Sequence, residues 1–111
     1  MFLYIELWKP RAEWNALSVE QREESLSQLK AGLERMEDLN VELVGVALCD
    51  EETPNSVEFR YMAVWKMPNL GHVHMLETAV KKEGWSNYFE IVNARGKIIS
   101  LDKFVRDMVR I

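Results

Sequence analysis

A carboxylate stands among aromatic residues near the beginning of the chain. Glu6 lies between Tyr4 and Trp8 in an alternating segment, so a β-strand would place all three side chains on one face. Burial of that face would raise the pKa of Glu6 and suit it to general acid or base catalysis. Glu90 is a second carboxylate that would approach Glu6 from a neighbouring strand. The alternative for Glu6 is a hydrogen bond to a tyrosine or an ion pair with one of three basic residues, which are Arg60, Lys66 and Arg95.

The chain has two histidines, His72 and His74, and both fall in a predicted helix. A separation of two residues turns their side chains about 200° apart, so one metal ion cannot bind both. His72 lies nearer the apolar positions Leu76 and Val80, which makes it the candidate for a proton carrier in a pocket or a haem ligand. The alternative is a partly exposed histidine on the flank of the helix. No metal site is predicted.

Aromatic side chains recur along the chain and are suited to contact a ligand. Together with one arginine they form the predicted ligand-binding set of Tyr4, Trp8, Arg60, Tyr61, Trp65, Trp85 and Tyr88. Their alternative role is to fill a core or an interface. The sequence contains no phosphate-binding loop, dinucleotide fingerprint, nucleophile elbow or zinc-protease motif. No cofactor is therefore predicted.

Length and composition indicate one globular domain. The chain has 111 residues, of which 48% are hydrophobic and 29% charged, and we assign residues 2–97 to the core and 98–111 to a C-terminal extension. A net charge of −4 with scattered basic residues disfavours a nucleic-acid partner. No apolar run approaches the roughly 20 residues of a membrane span. For this reason no membrane partner is expected. The single cysteine, Cys49, is typical of a cytoplasmic protein.

The predicted elements follow the order β-α-β-β-α-β with a short terminal helix. Ser18 and Gln21 form a capping box for the first long helix, Asn69 caps the second, and Gly84 suits the left-handed position after its end. Gly96 is expected to turn the chain. Four segments rich in β-branched and aromatic residues are predicted as strands, namely residues 2–9, 41–50, 57–66 and 88–93. This order predicts an α+β, ferredoxin-like fold with a four-stranded antiparallel sheet, whose first and third strands are central.

Two helices cover only one face of such a sheet, yet the central strands carry apolar side chains on both faces. The aliphatic set is expected to face the helices, and it consists of Leu3, Ile5, Leu7, Met62 and Val64. The aromatic face would then stay uncovered over about 400 Å². This is in the upper range for an exposed apolar patch on a soluble monomer. A second copy would cover it and form a homodimeric α/β barrel. The alternative is that residues 101–111 fold across this face.

Four short blocks carry a resemblance to a known superfamily. They are Tyr4-x-Glu6-Leu7-Trp8, Arg60-Tyr61-x-Ala63-Val64-Trp65-Lys66-Met67-Pro68, Gly84-Trp85-x-Asn87-Tyr88-Phe89-Glu90 and Val92-Asn93-Ala94-Arg95-Gly96. Over residues 2–97 the chain resembles the dimeric α/β-barrel superfamily that includes the antibiotic-biosynthesis-type monooxygenases. It is similar to an uncharacterised branch with darcynin-like proteins. Haem-degrading relatives carry an asparagine on strand one, where this chain has Tyr4, Glu6 or Trp8, and this departure disfavours haem chemistry.

The expected function is the binding of an apolar or aromatic small molecule, with a fatty-acid-like ligand among the options. The expected lining, between sheet and helices, is Tyr4, Glu6, Tyr61, Trp65 and His72. A polar end of the ligand is expected to point to Arg60, Arg95 or Lys66, because Glu6 repels an acid. The first alternative is a cofactor-independent monooxygenase or isomerase in which Glu6 or His72 removes a proton. The second is a structural homodimer without a ligand.

Overall fold

A four-stranded antiparallel sheet organises the chain, and the computed structural model describes all of residues 1–111. The strands are β1 (Phe2–Pro10), β2 (Glu42–Leu48), β3 (Tyr61–Met67) and β4 (Phe89–Lys97). The helices are α1 (Ala12–Asn15), α2 (Val19–Asp38), α3 (Leu70–Lys82) and α4 (Leu101–Arg110), with a 3₁₀ turn at Trp85–Asn87. The strand order is β2-β3-β1-β4, so the predicted ferredoxin-like α+β fold with β1 and β3 at the centre is confirmed.

The helix ends follow the predicted capping chemistry. Ser18 Oγ accepts a hydrogen bond from the Gln21 backbone N–H at 3.1 Å, and Gln21 Oε1 accepts one from the Ser18 backbone N–H at 2.9 Å. Asn69 Oδ1 accepts from the His72 backbone N–H at 3.1 Å at the start of α3. Gly84 has a φ of 70° after the end of α3, a conformation that glycine adopts at low cost.

The largest differences from the predicted strand boundaries lie at the start of β3 and at the end of β4. β3 begins at Tyr61 rather than at residue 57, because the chain before it forms an irregular loop that is closed where the Cys49 N–H donates to the Arg60 carbonyl at 2.8 Å. β4 does not turn at Gly96 but continues to Lys97. It does so because β1 begins at Phe2, which pairs with Lys97 and so keeps the last residues of β4 in the ladder.

The predicted assignment of the two sheet faces is wrong. Tyr4, Glu6 and Trp65 are buried beneath the helices, whereas Leu3 and Val92 are exposed on the opposite side. The aromatic face therefore packs against α2 and α3. The uncovered face, called the open face below, is aliphatic and includes Leu3, Ile5, Leu7, Met62, Val64 and Val92.

The core explains this orientation. Seven buried residues form one cluster between the sheet and the helices, and they are Tyr4, Val41, Ala63, Trp65, Met67, Val73 and Leu76. The large rings of Tyr4 and Trp65 fill the layer beneath α3, where their apolar area contributes most. Only 10 of 111 residues are buried, so a single chain buries one face of its sheet and leaves the other to solvent.

The C-terminal helix stands apart from the rest of the chain. Ser100 caps α4 by accepting a hydrogen bond from the Lys103 N–H at 3.1 Å, but every residue of α4 is exposed. Its apolar residues include Leu101, Phe104 and Met108. Within one chain, residues 101–111 therefore do not fold across the sheet. None of the helices has the length and apolar character that crossing a bilayer requires.

We expect Ser18→Ala to lower the free energy of unfolding by about 1 kcal/mol, because the backbone N–H of Gln21 loses its acceptor at the start of α2. Urea denaturation followed by circular dichroism measures this change. The matched control is Ser27→Ala on the exposed face of the same helix, which should be neutral or slightly stabilising because alanine is the better helix former. Equal effects of the two changes would contradict the capping role.

Candidate functional site

A cavity of about 230 Å³ lies between α2 and the helix-facing side of the sheet. Nine of its ten lining residues are hydrophobic. The strands contribute Trp8, Val46, Ala63, Phe89 and Ile91, the helices contribute Leu29, Leu33 and Val80, and the 3₁₀ turn contributes Trp85. The tenth residue is Glu6. The cavity thus presents one ionisable group to an otherwise apolar interior.

Glu6 is held in this cavity by its strand and by one hydrogen bond. It is 8% exposed and lies opposite Ala63 in the ladder between β1 and β3, where the small alanine leaves space above the sheet. The Trp65 indole Nε1–H donates to Glu6 Oε1 at 2.7 Å. Glu6 Oε2 receives no hydrogen bond from the chain. Every side-chain oxygen that is fully sealed from solvent has a hydrogen-bond partner, so Oε2 is not fully sealed. This second oxygen therefore has an open side and is free to contact a bound molecule.

Burial raises the pKa of Glu6 above its ordinary value, because the charged carboxylate loses solvation. The hydrogen bond from Trp65 opposes this effect by favouring the ionised form. Neither a second carboxylate nor a basic residue contributes. Glu90, which was expected to approach Glu6, instead lies toward the open face and forms an ion pair with Lys9 at 3.4 Å. The predicted ion pair of Glu6 with Arg60, Lys66 or Arg95 is likewise not formed.

An aromatic cluster forms one end of the cavity. The ring of Phe89 lies 5.2 Å from Trp8, 4.9 Å from Trp85 and 4.9 Å from Trp14, measured between centroids. Trp8 also packs against Tyr61 at 4.9 Å. Trp14 belongs to the short helix α1, whose place is fixed by a hydrogen bond from the Arg11 N–H to the Tyr88 carbonyl at 2.7 Å. Because the rings brace one another, this wall is preorganised before any ligand binds.

Two further depressions adjoin the cavity. One, of about 180 Å³, lies between α2 and α3 and shares Leu29, Leu33, Val80 and Trp85 with it. The other is a wider groove that shares Trp8 and Phe89 and is lined in addition by Arg60 and Tyr61. In that groove Arg60 Nε donates to Tyr61 Oη at 3.2 Å. Arg60 is therefore the basic residue of the predicted set that lies beside the cavity.

A separate polar cluster lies around Glu77 of α3. Tyr4 Oη donates to Glu77 Oε2 at 3.4 Å, and Arg95 and His74 contact Glu77 Oε1 at 3.1 and 3.3 Å. Burial raises the pKa of Tyr4 to about 12, and the neighbouring charges of Glu77 and Glu6 add to the rise while Arg95 opposes it. Tyr4 is thus a neutral hydrogen-bond donor near pH 7. Its side chain links the sheet to α3 instead of lining the cavity.

The predicted site residues divide into three groups by position. Glu6, Trp8 and Trp85 line the cavity. Trp65, Tyr61 and Arg60 adjoin it or line the groove beside it. Tyr88 lines a third, small depression of about 40 Å³, which shares Trp85 with the cavity. Tyr4 and His72 lie elsewhere. The catalytic and binding roles assigned to all of them remain predictions.

The two histidines contact different residues. His72 Nδ1 lies 2.8 Å from Asn69 Oδ1 at the first turn of α3, and His74 Nδ1 lies 3.3 Å from Glu77 Oε1. His72 does not line the cavity but is the partly exposed histidine of the alternative, because Asn69 holds its ring at the end of the helix. No group of three or more histidine, cysteine, aspartate or glutamate side chains is arranged to hold a metal ion.

The sequence interpretation missed most of the aliphatic lining. Leu29 and Leu33 repeat at helical spacing in α2, and Val80 lies with Leu76 on the apolar side of α3, but such a stripe does not reveal where packing is incomplete. Trp14 and Phe89 were also not selected. A signal for Trp14 was present, since a tryptophan between Pro10 and the Ser18 cap must find an apolar neighbour.

Comparison with known proteins establishes the family. A family model described as "Family of unknown function (DUF6616)" matches residues 1–111, and the chain belongs to this family. The chain is similar in structure to a dimeric protein of unknown function and ferredoxin-like fold from Bacteroides fragilis NCTC 9343, with 16% identity and a TM-score of 0.53. That match covers 87% of this chain and 95% of the other and supports the fold. No curated protein matches the sequence significantly.

At pH values above the ordinary carboxyl pKa of 4.5, we expect Glu6→Gln to have a higher free energy of unfolding than the wild type. The folded-state pKa is raised, so wild-type stability is greatest below the unfolded-state pKa and falls as pH rises through the folded-state pKa. Glutamine removes this loss, and its amide oxygen still accepts from Trp65. Urea denaturation at a series of pH values should therefore show the two curves diverging as pH rises. Glu24→Gln on the exposed face of α2 is the control, and an equal divergence there would contradict the assignment.

Proposed function

We propose that this member of the DUF6616 family binds a small apolar or aromatic molecule that carries one hydrogen-bond donor, with the donor directed to Glu6. The observation that carries the proposal is the free oxygen of a single buried carboxylate in an otherwise apolar cavity. Apolar walls with few, well-placed polar groups are typical of small-molecule sites. A cavity filled only to complete the core would not need a carboxylate, since burying one is costly.

The size of the cavity limits the ligand. An apolar cavity of about 150 Å³ accommodates benzene, so the volume of about 230 Å³ suits one aromatic ring with a few substituents or a short branched chain. A longer, fatty-acid-like chain would need the adjoining space between α2 and α3 as well. The dimensions therefore favour a compact ring over a long chain.

The orientation that we propose differs from the one expected from the sequence. Lys66 lies toward the open face and Arg95 is paired with Glu77, so neither is available at the cavity. Glu6 Oε2 can accept a hydroxyl or amine proton from the ligand. A polar end should therefore point inward to Glu6, while an additional acidic group is tolerated only in the groove beside Arg60.

A second candidate function is proton transfer by Glu6. A carboxylate with a raised pKa and one unpartnered oxygen is suited to remove a proton from a bound enolisable or phenolic compound. This reading agrees with the resemblance to monooxygenase-type and isomerase-like barrels. The test follows exchange of the α protons of phenylacetone in D₂O by nuclear magnetic resonance. Faster exchange with the wild type than with Glu6→Gln would support an enzyme. Equal rates would support binding without catalysis.

We also propose that the chain forms a homodimer through the open face. Leu3 is 38% exposed and Val92 49% exposed on this aliphatic surface, which no helix of the chain covers. A two-fold axis would bring the surface against itself and bury it on both copies. The solved ferredoxin-like protein from Bacteroides fragilis is described as dimeric, which supports a dimer here.

At pH 8.5 we expect the wild type to prefer p-cresol to 4-methylanisole, because only the phenol can donate to Glu6 Oε2. A hydrogen bond to a charged group contributes about 1.5–3 kcal/mol, so the ratio of affinities should be about tenfold or more. Glu6→Gln should reverse the preference, since its amide oxygen faces the Trp65 donor and its NH₂ group then faces the cavity. Calorimetric titration measures both ligands.

Two controls accompany this titration. Lys30→Ala on the exposed face of α2 should leave both affinities unchanged, and Trp85→Ala should weaken both by removing a wall. If neither compound binds saturably to the wild type, the structural homodimer without a ligand becomes the better explanation.

We expect the wild type to sediment as a dimer with twice the chain mass of 13.0 kDa at micromolar concentration. Ile5→Asp should shift it to monomer, because the new carboxylate would be buried without a partner at the centre of the open face. The control is Val19→Asp at the exposed start of α2, where an acid is favoured by the helix dipole. A stable monomeric wild type would refute the proposed dimer.

A further inference from the structure

Apart from the open face, two apolar surfaces of the chain lack a partner within it. The first is the stripe on α4, where Leu101 is 75%, Phe104 49% and Met108 53% exposed. The second is the β2 edge patch, which consists of Val44, Val46 and Leu48 at 58%, 54% and 67% exposed. Exposed apolar side chains grouped in this way mark interaction surfaces. We call residues 98–110 the C-terminal arm.

We propose that the C-terminal arm of each subunit packs along the β2 edge patch of the second copy and there closes the cavity. The arm and the patch are thus the two halves of one contact that a two-fold axis repeats. The inference rests on the proposed homodimer, and its effect on the cavity rests also on the proposed ligand site.

The arm cannot reach this patch easily within its own chain. It leaves β4, and the strand order places β4 and β2 at opposite edges of the sheet. Three strand spacings of about 4.8 Å put roughly 14 Å of sheet between these edges. The linker of residues 98–100 between β4 and α4 is too short to carry the helix around that width. In the chain by itself every residue of α4 is accordingly exposed.

A second copy removes this obstacle. When two sheets stack face to face about an axis parallel to their strands, β4 of one copy lies over β2 of the other. Stacked sheets are about 10 Å apart, and three extended residues span about 10 Å. The linker therefore reaches from one sheet layer to the β2 edge of the other. There α4 would pass around the edge to contact Val46 and Leu48, which point to the helix-facing side because they pair with Ala63 and Tyr61.

The lengths and directions also agree. The end of β4 at Gly96 and the start of β2 at Glu42 lie at the same end of the sheet, because Gly96 pairs with Leu3, Leu3 with Lys66, and Lys66 with Glu42. The ten residues of α4 span about 15 Å. The seven residues of β2 extend over about 20 Å, so the helix can lie along the patch from Val44 to Leu48.

The area that a stable interface needs also favours a second copy of the chain as the partner of the arm and the patch. A stable interface buries about 800 Å² on each partner, whereas the open face offers about 400 Å² in projection. The reciprocal contact of arm and patch enlarges the interface at both edges without any additional protein. Each chain thus carries both the donated and the receiving surface.

Closure of the cavity follows from the position of Val46. This residue lines the cavity and is at the same time half-exposed on the edge strand. A helix lying on Val46 would bring Phe104 or Met108 of the second copy over that side of the cavity. The ligand site would then be complete only in the dimer.

The test uses hydrogen exchange and sedimentation of the full chain. A ten-residue helix without tertiary packing is marginal in water, so residues 101–110 should be protected only when the arm is docked. Phe104→Glu should reduce protection of residues 101–110 and 44–48 at least tenfold and weaken binding of p-cresol. Arg106→Glu, on the opposite side of α4, is the matched control and should resemble the wild type.

Complementation distinguishes exchange between copies from docking within one chain. Leu48→Glu has a defective patch and an intact arm, whereas Phe104→Glu has the reverse, and both positions are exposed in the single chain, so folding is spared. Mixing the two variants should restore protection of residues 101–110 in the Leu48→Glu chain, because its arm finds an intact patch on the other chain. No restoration in mixed dimers, or protection of residues 101–110 in a monomer, would overturn the proposal. Restored protection without p-cresol binding would refute only the ligand site.

Discussion

A strand presents alternate side chains to opposite faces of a sheet, and two helices can cover only one of those faces. The candidate site and the open face both follow from which set of side chains the helices cover. Burial of Tyr4 and Trp65 beneath the helices carries Glu6 to the same side and leaves an aliphatic surface outside. The interior therefore gains the polar and aromatic groups that chemistry requires, while the outside gains an unpartnered apolar surface.

The buried carboxylate shows how this constraint creates a candidate site. Glu6 is tolerated in the interior because the Trp65 indole donates to one of its oxygens, and Ala63 opposite it leaves room for a cavity. Aliphatic residues from α2 and α3 supply the remaining walls. Burying a carboxylate that has only one of its two oxygens hydrogen-bonded costs free energy of folding in a small core. We interpret it as functional for that reason.

Fold and family leave the chemistry open, because ferredoxin-like sheets serve many unrelated activities. The family itself is described only as one of unknown function, and the similar solved structure shares 16% identity with the chain. The geometry around Glu6 is consequently the better guide to function. The same geometry connects the site to assembly, since Val46 belongs both to the cavity and to the exposed edge of the sheet.

The sequence by itself determined the element order, the capping residues Ser18 and Asn69, the left-handed Gly84 and the shared face of Tyr4, Glu6 and Trp8. These features depend on neighbours a few residues apart, whose chemistry is written locally. Only the tertiary structure decided which face the helices cover, because both faces of β1 and β3 are apolar and alternation alone does not rank them. It also decided that Glu90 turns away from Glu6 and that a cavity remains beneath α2. Each of these outcomes depends on how side chains distant in sequence share a limited volume, and no local pattern records that.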